Sequence, residues 1–328
     1  MLPSVTRDHP RRPEELLGGR LMSRLDRLDL ASRRIFAGKL VGERRSKKRG
    51  QSVEFDDYRT YTPGDDLRFI DWNVYARFDR LFIKLFLEEE DLALHLAIDA
   101  SASMDTGTPN KLVFATRLAA ALAYIGLVQN NRVGATVFGV PGAPGPVRIA
   151  DTRGRHQMAR FGRALIDAVW PEGRGAAVRA SPAPPPGGAF NEAVATIARL
   201  RVGKGVMVVL SDFLDPGGYE GGLRALGAAR GYDTFCAQLL SPGEIDPERE
   251  GERGLVGDLR LTDIESGRSA EVTLSPALIR RYKERLEAFT GGLSTFAAAR
   301  RMTHLMLRSD ADLETVLLDT LRRRGVVA

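Results

Sequence analysis

The chain of 328 residues is 43% hydrophobic and 27% charged, a composition that is typical of a folded globular protein and excludes a chain that is disordered throughout. The net charge of +6 is unevenly distributed, because residues 1–50 hold 14 Lys and Arg against six Asp and Glu. The basic character therefore belongs to an N-terminal segment, and the remainder of the chain is slightly acidic.

Residues 1–45 predict a basic, partly disordered helical arm. Prolines and paired glycines interrupt residues 1–19, whereas apolar residues recur near helical spacing over residues 21–40 and predict an amphipathic helix that packs on its own domain. No aromatic residues are interleaved with the densest basic run, residues 43–49, so nucleic acid is not an expected partner. A solvated lead-in is the favoured interpretation, and the alternatives are a weak contact of residues 20–49 with an anionic membrane surface and binding to an acidic partner.

Residues 58–72 are rich in charged and aromatic side chains, and they allow two interpretations. In the first, the side chains form a recognition surface or an acid–base pair; they are Asp65, Asp66, Arg68, Asp71 and Trp72. In the second, an aspartate caps the turn at Pro63–Gly64, Arg68 pairs with a nearby acid and Trp72 fills a core. The structural interpretation is favoured because the segment lacks a nucleophile beside an orienting base.

From residue 92 onward, apolar runs alternate with helical patterns. The predicted strands are 92–98, 132–138, 147–149, 205–210, one around Phe235, and 304–307, and the predicted helices are 110–129, 155–169, 190–201, 219–230, 276–299 and a terminal one. This alternation predicts an α/β domain with a mainly parallel central sheet between helical layers. Two features interrupt it. They are a proline-rich loop at 181–188 and a β-hairpin at about 258–275, predicted to be appended to the main sheet.

Two features of the sequence indicate the cellular compartment in which the protein is expected to lie. Cys236 is the one cysteine in the chain, which excludes an internal disulfide framework, and its apolar surroundings predict a buried, unreactive thiol. No apolar leader segment is visible near the N-terminus, and the most apolar helical stretch, residues 113–128, contains Arg117 and is short for a bilayer span. These features predict a cytoplasmic protein.

Two predicted central strands end in carboxylates, Asp99 and Asp212, and Asp99 is followed at alternate positions by Ser101 and Ser103. Ligands of open parallel sheets bind at the carboxyl ends of the strands. An aspartate and two hydroxyls spaced two residues apart on a loop can direct three oxygen atoms at one point, and such ligands suit Mg²⁺. The alternative is a loop whose serines cap the following helix.

This motif is followed by a long helix and then by a second strand-end aspartate. The order resembles that of the metal-ion-dependent adhesion site of von Willebrand A domains, over residues 91–328. A second resemblance is to a bacterial domain family of unknown function found beside MoxR-type AAA+ ATPases. It is carried by residues 46–55, 58–66, 68–72, 76–77, 83–84, Phe86, 88–89 and 211–215. Together these resemblances divide the chain into the arm at 1–45, a family-specific segment at 46–90 packed on the main domain, and a three-layer, Rossmann-like von Willebrand A domain at 91–328.

The resemblance implies metal ligands at Asp99, Ser101, Ser103 and Asp212. Adhesion-type sites also place a threonine on the loop after the third strand, but this chain has Ala189 near that position, so one hydroxyl ligand is missing. A water or the amide of Asn191 is the expected substitute. The candidate partner-binding residues are Asp215, Arg68, Asp71 and Trp72.

The resemblance implies a non-catalytic interaction module that binds a carboxylate-bearing partner through Mg²⁺. It also implies that the protein acts together with a MoxR-type AAA+ ATPase in the assembly or activation of client proteins. The chain has no P-loop motif, so it is not expected to bind ATP itself. Two other hypotheses are a metal-dependent hydrolase that uses the same aspartates and an adaptor that binds anionic surfaces through the basic arm.

Overall fold

The computed structural model describes residues 9–31, 45–46, 55–86, 88–89, 92–171, 189–200, 205–229, 231–248, 258–262, 269–273 and 275–328. By its internal packing the chain divides into two compact units. The larger unit comprises Met1–Ile35 and Leu92–Ala328, and the smaller unit comprises Phe36–Asp91. The first 35 residues are thus grouped with the larger unit, whereas residues 1–45 were predicted from the sequence to form a separate arm.

Helices and strands alternate along most of the described chain. The helices are α1 Pro13–Leu16, α2 Gly19–Leu25, α3 Trp72–Phe78, α4 Lys111–Val128, α5 Met158–Val169, α6 Ala189–Leu200, α7 Glu220–Ala228, α8 Pro242–Ile245, α9 Pro276–Ala298, α10 Leu313–Thr315 and α11 Arg322–Arg324. The strands are β1 Arg45–Ser46, β2 Phe55–Thr60, β3 Phe82–Phe86, β4 Glu88–Glu89, β5 Ala93–Asp99, β6 Arg132–Phe138, β7 Val147–Thr152, β8 Gly205–Ser211, β9 Tyr232–Leu240, β10 Asp258–Thr262, β11 Ser269–Thr273 and β12 Thr303–Arg308. Two 3₁₀ turns, at Leu67–Phe69 and Arg155–Gln157, and a π-helical segment at Val316–Leu321 lie between them.

Six of the described strands form one sheet in the larger unit, in the order β12-β9-β8-β5-β6-β7. The first five are parallel, and β7 pairs antiparallel with β6 at the edge. Strands β5 and β8 are buried along their whole length, because they have strands on both sides and helices over both faces. The prediction of a mixed α/β fold with a mainly parallel sheet is confirmed.

The core of the larger unit lies on both faces of this sheet, as the alternation of side chains along β5 illustrates. Leu94, Leu96 and Ile98 join a cluster that includes α4 and α5. Ala93 and Ala97 join a second cluster that includes α6, α7 and α9. Because successive side chains of a strand point to opposite faces, one apolar strand anchors both helical layers.

Helix α4 is the central helix of the first cluster. The Asn110 side chain caps its N-terminus by accepting a hydrogen bond from the Val113 N–H at 3.0 Å. Among the described residues, α4 is long and apolar enough to cross a membrane, with a mean hydropathy of 1.6. Of the residues of this helix, 83% are buried inside the protein, so its apolar composition matches its position in the core.

The N-terminal segment differs from its prediction of disorder followed by a helix over residues 21–40. Two short helices, α1 and α2, form instead, and α2 ends at Leu25. The chain is extended at Leu30, which pairs antiparallel with Val327 as an isolated bridge. Burial explains the difference, because Leu16, Leu25 and Leu30 all enter the core beside α4. The rest of the predicted helix lies outside the described residues.

The structure tests the predicted β-hairpin but does not describe the predicted proline-rich loop. Strands β10 and β11 pair antiparallel, from Asp258 opposite Thr273 to Thr262 opposite Ser269. They form a two-stranded sheet of their own, and among the described strands they are not hydrogen-bonded to the six-stranded sheet onto which the hairpin was predicted to be appended. The proline-rich loop predicted at 181–188 lies outside the described residues.

In the smaller unit β2 pairs antiparallel with β3, β1 pairs with β4, and a 3₁₀ turn and α3 lie between β2 and β3. Asp66 caps the 3₁₀ turn at Leu67–Phe69 and Asp71 caps α3. Arg68 forms an ion pair with Asp66 at 2.7 Å, as the structural interpretation predicted. The prediction that Trp72 fills a core is wrong. Trp72 is 62% exposed at the start of α3, where its ring meets Tyr75 edge-on.

Candidate metal centre

The carboxyl ends of β5 and β8 form the candidate metal centre. The two strands are parallel neighbours with Ile98 opposite Leu210, so Asp99 and Ser211 end side by side and Asp212 follows. Strand β6 lies on one side of β5 and β8 on the other. This edge is therefore a topological switch point, the place where open parallel sheets bind ligands. The structure brings the two predicted strand-end aspartates together there.

The Asp99 carboxylate is buried at the end of β5, with 6% of the residue exposed. Its Oδ1 accepts a hydrogen bond from the Ser101 N–H at 2.9 Å, and its Oδ2 accepts one from the Ser211 hydroxyl at 2.6 Å. Burial, with the negative charge of Asp212 as the second cause, raises the pKa of Asp99 to about 7. The neutral donors around Asp99 only partly offset these effects.

The loop that leaves β5 holds the two serines close together. The Ser101 and Ser103 Oγ atoms are 3.1 Å apart, so both hydroxyls lie on the same side of the loop. Gly139, in the turn after β6, packs closely against this loop. A Cβ there would lie 2.9 Å from Asp99 Oδ1, and φ is +72°, so the close approach requires glycine.

Asp212 is held in place by a buried lysine. Lys111, the first residue of α4, is fully buried, and its Nζ lies 3.0 Å from Asp212 Oδ2 and 2.5 Å from Glu244 Oε1. Burial by itself would lower the pKa of Lys111, but the two carboxylates outweigh it and raise the pKa, so the side chain is an ammonium ion. The Leu214 N–H donates to Asp212 Oδ1 at 3.1 Å.

The donor set suits a hard cation. The candidate donors are the two serine hydroxyls and two carboxylates. Among the described residues no group of three or more His, Cys, Asp and Glu side chains could hold a metal ion. Such oxygen donors fit Mg²⁺, which retains several waters and needs few protein ligands. Asp99, Ser101 and Ser103 could contact such an ion, whereas Asp212 is already shared with Lys111.

Asn191 and Asp215 hold the turn before α7. The Asn191 amide nitrogen donates to the Gly217 and Gly218 carbonyls, each at 2.9 Å, and its amide oxygen accepts from the Gly222 N–H at 2.7 Å. The Asn191 amide thus holds this turn, and its role as a substitute metal ligand stays a prediction. Asp215 accepts hydrogen bonds at both carboxylate oxygens, from the N–H groups of Phe190 and Gly217.

Three other predicted site residues lie in the smaller unit. Arg68 is exposed and engages Asp66, and Trp72 is exposed. Asp71 is buried, accepting hydrogen bonds from the Tyr58 hydroxyl at 2.9 Å and from the two N–H groups that it caps, and forming an ion pair with Lys84 at 3.0 Å. These contacts, the one with Lys84 first, lower the pKa of Asp71 to about 2.

Three residues of the site, Lys111, Ser211 and Glu244, were not predicted as site residues from the sequence. Lys111 and Glu244 are separated by 133 positions, and Ser211 contacts Asp99 across 112 positions, so no local spacing connects them. A signal existed for Lys111 alone, since a lysine at the start of a predicted core helix needs a buried acidic partner. No comparable signal singled out Glu244.

The sheet and the cluster at its switch point define a Rossmann-like α/β protein with a carboxylate and hydroxyl site at the strand ends. Within that class the chain belongs to the DUF58 family, described as proteins of unknown function, whose profile matches residues 57–289. Uncharacterised proteins of Mycobacterium tuberculosis and Mycobacterium bovis are 29% identical to it over 314 residues, covering 94% of this chain and 92% of theirs.

The chain is also similar, at lower sequence identity, to several solved structures. The protein BatB from Bacteroides thetaiotaomicron is 13% identical, with a TM-score of 0.38 over 71% of this chain and 98% of that one. An aerotolerance-related membrane protein from Bacteroides fragilis is 15% identical, with a TM-score of 0.37 over 71% of this chain and 97% of its own. The pilus adhesin SpaC from Lactobacillus rhamnosus GG is 10% identical, with a TM-score of 0.42 over 73% of this chain and 31% of its own.

Proposed function

We propose that this protein is a non-catalytic interaction module, built on a von Willebrand A-like domain, that binds a carboxylate-bearing partner through Mg²⁺. Asp99, Ser101 and Ser103 would hold the ion, with Asp212 at the edge of the site. A carboxylate from the partner would complete the coordination. In this proposal the protein acts in the cytoplasm with a MoxR-type AAA+ ATPase, in the assembly or activation of client proteins.

The observation that carries the metal site is the buried Asp99 carboxylate. It lies beside a second carboxylate at the switch point, and the hydrogen-bond donors found for it are neutral. Burial and the charge of Asp212 disfavour its ionised form, which a divalent cation bound at the adjacent serine hydroxyls would stabilise. The missing threonine hydroxyl near Ala189 would be replaced by water.

The ATPase partnership is supported by the family resemblance. The motifs at 58–66 and 68–72 lie in a segment of the chain that the DUF58 match also covers. They are structured in the smaller unit, where they place two capping aspartates and an exposed tryptophan.

A hydrolytic function is not favoured by the contacts of the two aspartates. In the described chain their side-chain oxygens meet backbone N–H groups, a serine hydroxyl and Lys111. Lys111 is held as a cation by two carboxylates, so it is poorly suited to act as a general base. The adaptor hypothesis rests on the basic run at 43–49, most of which lies outside the described residues.

Mg²⁺ binding provides the first test, in the protein freed of metal with a chelator. We expect Mg²⁺ at ten times its dissociation constant to stabilise the wild type by about 1.4 kcal/mol, and Asp99→Asn to abolish this increment. Asp167→Asn, which removes a surface carboxylate paired with Arg163, should respond as the wild type does. Thermal unfolding followed by circular dichroism measures the effect. Equal responses of the wild type and Asp99→Asn would rule out this site.

The partner is tested by co-purification with the MoxR-type ATPase encoded in the same genome. We expect capture by the wild type in Mg²⁺, and loss of capture on adding EDTA or in Asp99→Asn. Asp167→Asn should retain capture. Capture that survives both EDTA and Asp99→Asn would show that docking does not use a bridging metal ion.

A further inference from the structure

We propose that Lys111 is a resident cation of the candidate metal centre, which competes with a divalent ion for Asp212 and so sets the affinity of the site. We propose also that Glu244 controls this competition by drawing the ammonium group away from Asp212. The inference rests on the proposed metal site and extends it from binding to regulation.

The burial of Lys111 is the starting point. Its side chain is fully buried, although lysine is among the residues that are least often buried. A buried ammonium ion is tolerated only with close acidic partners, and Lys111 has two, Asp212 at 3.0 Å and Glu244 at 2.5 Å. The fold thus places a fixed positive charge in direct contact with a carboxylate of the candidate site.

The charges of the cluster explain the competition. When both are ionised, Asp99 and Asp212 together bring two negative charges to the strand ends, and Lys111 offsets one of them. A divalent ion that approached Asp212 would meet the ammonium ion at short range, in a buried setting where electrostatic repulsion is strong and poorly screened by salt. The site therefore attracts a second cation less strongly than its carboxylates alone would.

Glu244 is positioned as the second acceptor by a rigid local structure. Its Oε2 accepts a hydrogen bond from the Ser241 N–H at 2.7 Å, and its own N–H donates to the Ser241 Oγ at 3.3 Å, and these two bonds form a capping box at the start of α8. The Tyr282 hydroxyl donates to the Glu244 carbonyl oxygen at 2.7 Å. These bonds leave Oε1 directed at Lys111.

The loop of the serine motif contacts the same capping box. Gly107, three residues before Asn110, has a φ of +85°, and a Cβ on it would lie 2.5 Å from the Ser241 Cβ. Glu244 itself is partly exposed, with 27% of its side chain accessible. A partner that contacted α8 could therefore change the Lys111–Glu244 contact, and through it the share of the ammonium charge that reaches Asp212.

Titration calorimetry with Mn²⁺ on the metal-free full-length chain tests the inference. We expect Lys111→Met to bind Mn²⁺ at least about tenfold more tightly than the wild type, because the competing charge is gone. We expect Glu244→Gln to bind more weakly, because Lys111 then interacts with Asp212 alone. In the double variant the Glu244→Gln effect should largely disappear, since it acts through Lys111.

A matched ion pair nearby supplies the controls. Lys283, on α9, lies 2.9 Å from Asp246, which directly follows α8. In the described part of the chain Lys111 forms its ion pairs with Asp212 and Glu244 instead. Lys283→Met and Asp246→Asn remove the same charges from the same region, and they should leave the Mn²⁺ affinity within about twofold of the wild type.

The outcomes separate the inference from the proposed function. If the wild type binds Mn²⁺ and Lys111→Met binds it no more tightly, the inference is overturned and the metal site stands. If neither protein binds Mn²⁺, both are overturned, whereas binding by Lys111→Met alone supports competition. If Lys111→Met does not fold, Glu244→Gln decides. Weaker binding than in Asp246→Asn supports the inference, and equal binding overturns it.

Discussion

Lys111 and Asp212 are 101 positions apart in the sequence and in direct contact in the fold. The motif residues Asp99, Ser101 and Ser103 could be predicted as a group, because their spacing of two along one loop is a local property. The lysine could not be assigned to the site, because one of its acidic partners follows β8 and the other lies on α8. Local spacing predicts ligands, whereas long-range contacts determine which charges surround them.

Asp71 allows a prediction about pH at the residue scale. Its pKa is lowered to about 2, chiefly by Lys84, whereas an aspartate in the unfolded chain titrates near 4. The stabilisation by the carboxylate is therefore complete above pH 4 and is lost as the pH falls toward 2. We expect Asp71→Asn to lower the Tm by several degrees at pH 7, and the difference to shrink between pH 4 and pH 2.

Thermal unfolding at a series of pH values checks this prediction. Asp66→Asn is the matched control, because Asp66 also caps a turn and pairs with an arginine, but in an exposed position where such pairs contribute little. A Tm difference between the wild type and Asp71→Asn that is the same at pH 3 and pH 7 would contradict the assigned role of the carboxylate.

At the scale of elements, the N-terminal segment shows where periodicity fails. The prolines near residue 13 favoured disorder, and the apolar spacing over 21–40 favoured a long helix. The structure instead packs two short helices against α4 and α5. Gly162 of α5 permits the approach of α1, since a Cβ there would lie 3.1 Å from the Pro13 Cβ. The Tyr124 hydroxyl of α4 donates to Asp26 Oδ1 at 2.5 Å, and this hydrogen bond holds the end of α2 against α4.

This docking predicts a loss of stability when the segment is altered. Leu16, in α1, is fully buried in the cluster around α4. We expect Leu16→Ala to lower the free energy of unfolding by about 2 to 5 kcal/mol, as for other buried leucines. Denaturation in urea, followed by circular dichroism, measures the change.

The control for this prediction is Arg20→Ala, because Arg20 is exposed on α2. It should leave the stability within about 0.5 kcal/mol of the wild type. A Leu16→Ala protein as stable as Arg20→Ala would mean that the segment is a solvated lead-in after all.

At the scale of the whole molecule, the larger unit is organised by one buried sheet with a core on each face. Cys236 lies in β9, in the cluster that includes α6, α7 and α9, and burial raises the pKa of its thiol to about 12. The thiolate is the reactive form of cysteine, so the native protein protects this residue twice, by exclusion of reagent and by suppression of ionisation.

Cys236 therefore reports on unfolding of the larger unit. We expect the native protein to react with a thiol reagent at pH 8 at least about a thousandfold more slowly than the protein in denaturant. A Cys236→Ala protein carrying Ser23→Cys should react rapidly, because residue 23 is exposed. Rapid labelling of native Cys236 would place the strand outside the stable core.

The sequence by itself determined the α/β class, the order of the strands along the chain and the presence of two carboxylates at strand ends. Each of these follows from local patterns of apolar residues and from residues that directly follow a strand. Tertiary structure alone decided that Lys111 and Glu244 join the strand-end cluster, that Asn191 serves the turn before α7, and that Trp72 is exposed. The physical reason is that burial and ion pairing depend on which distant segments meet, and spacing along the chain does not encode those distances.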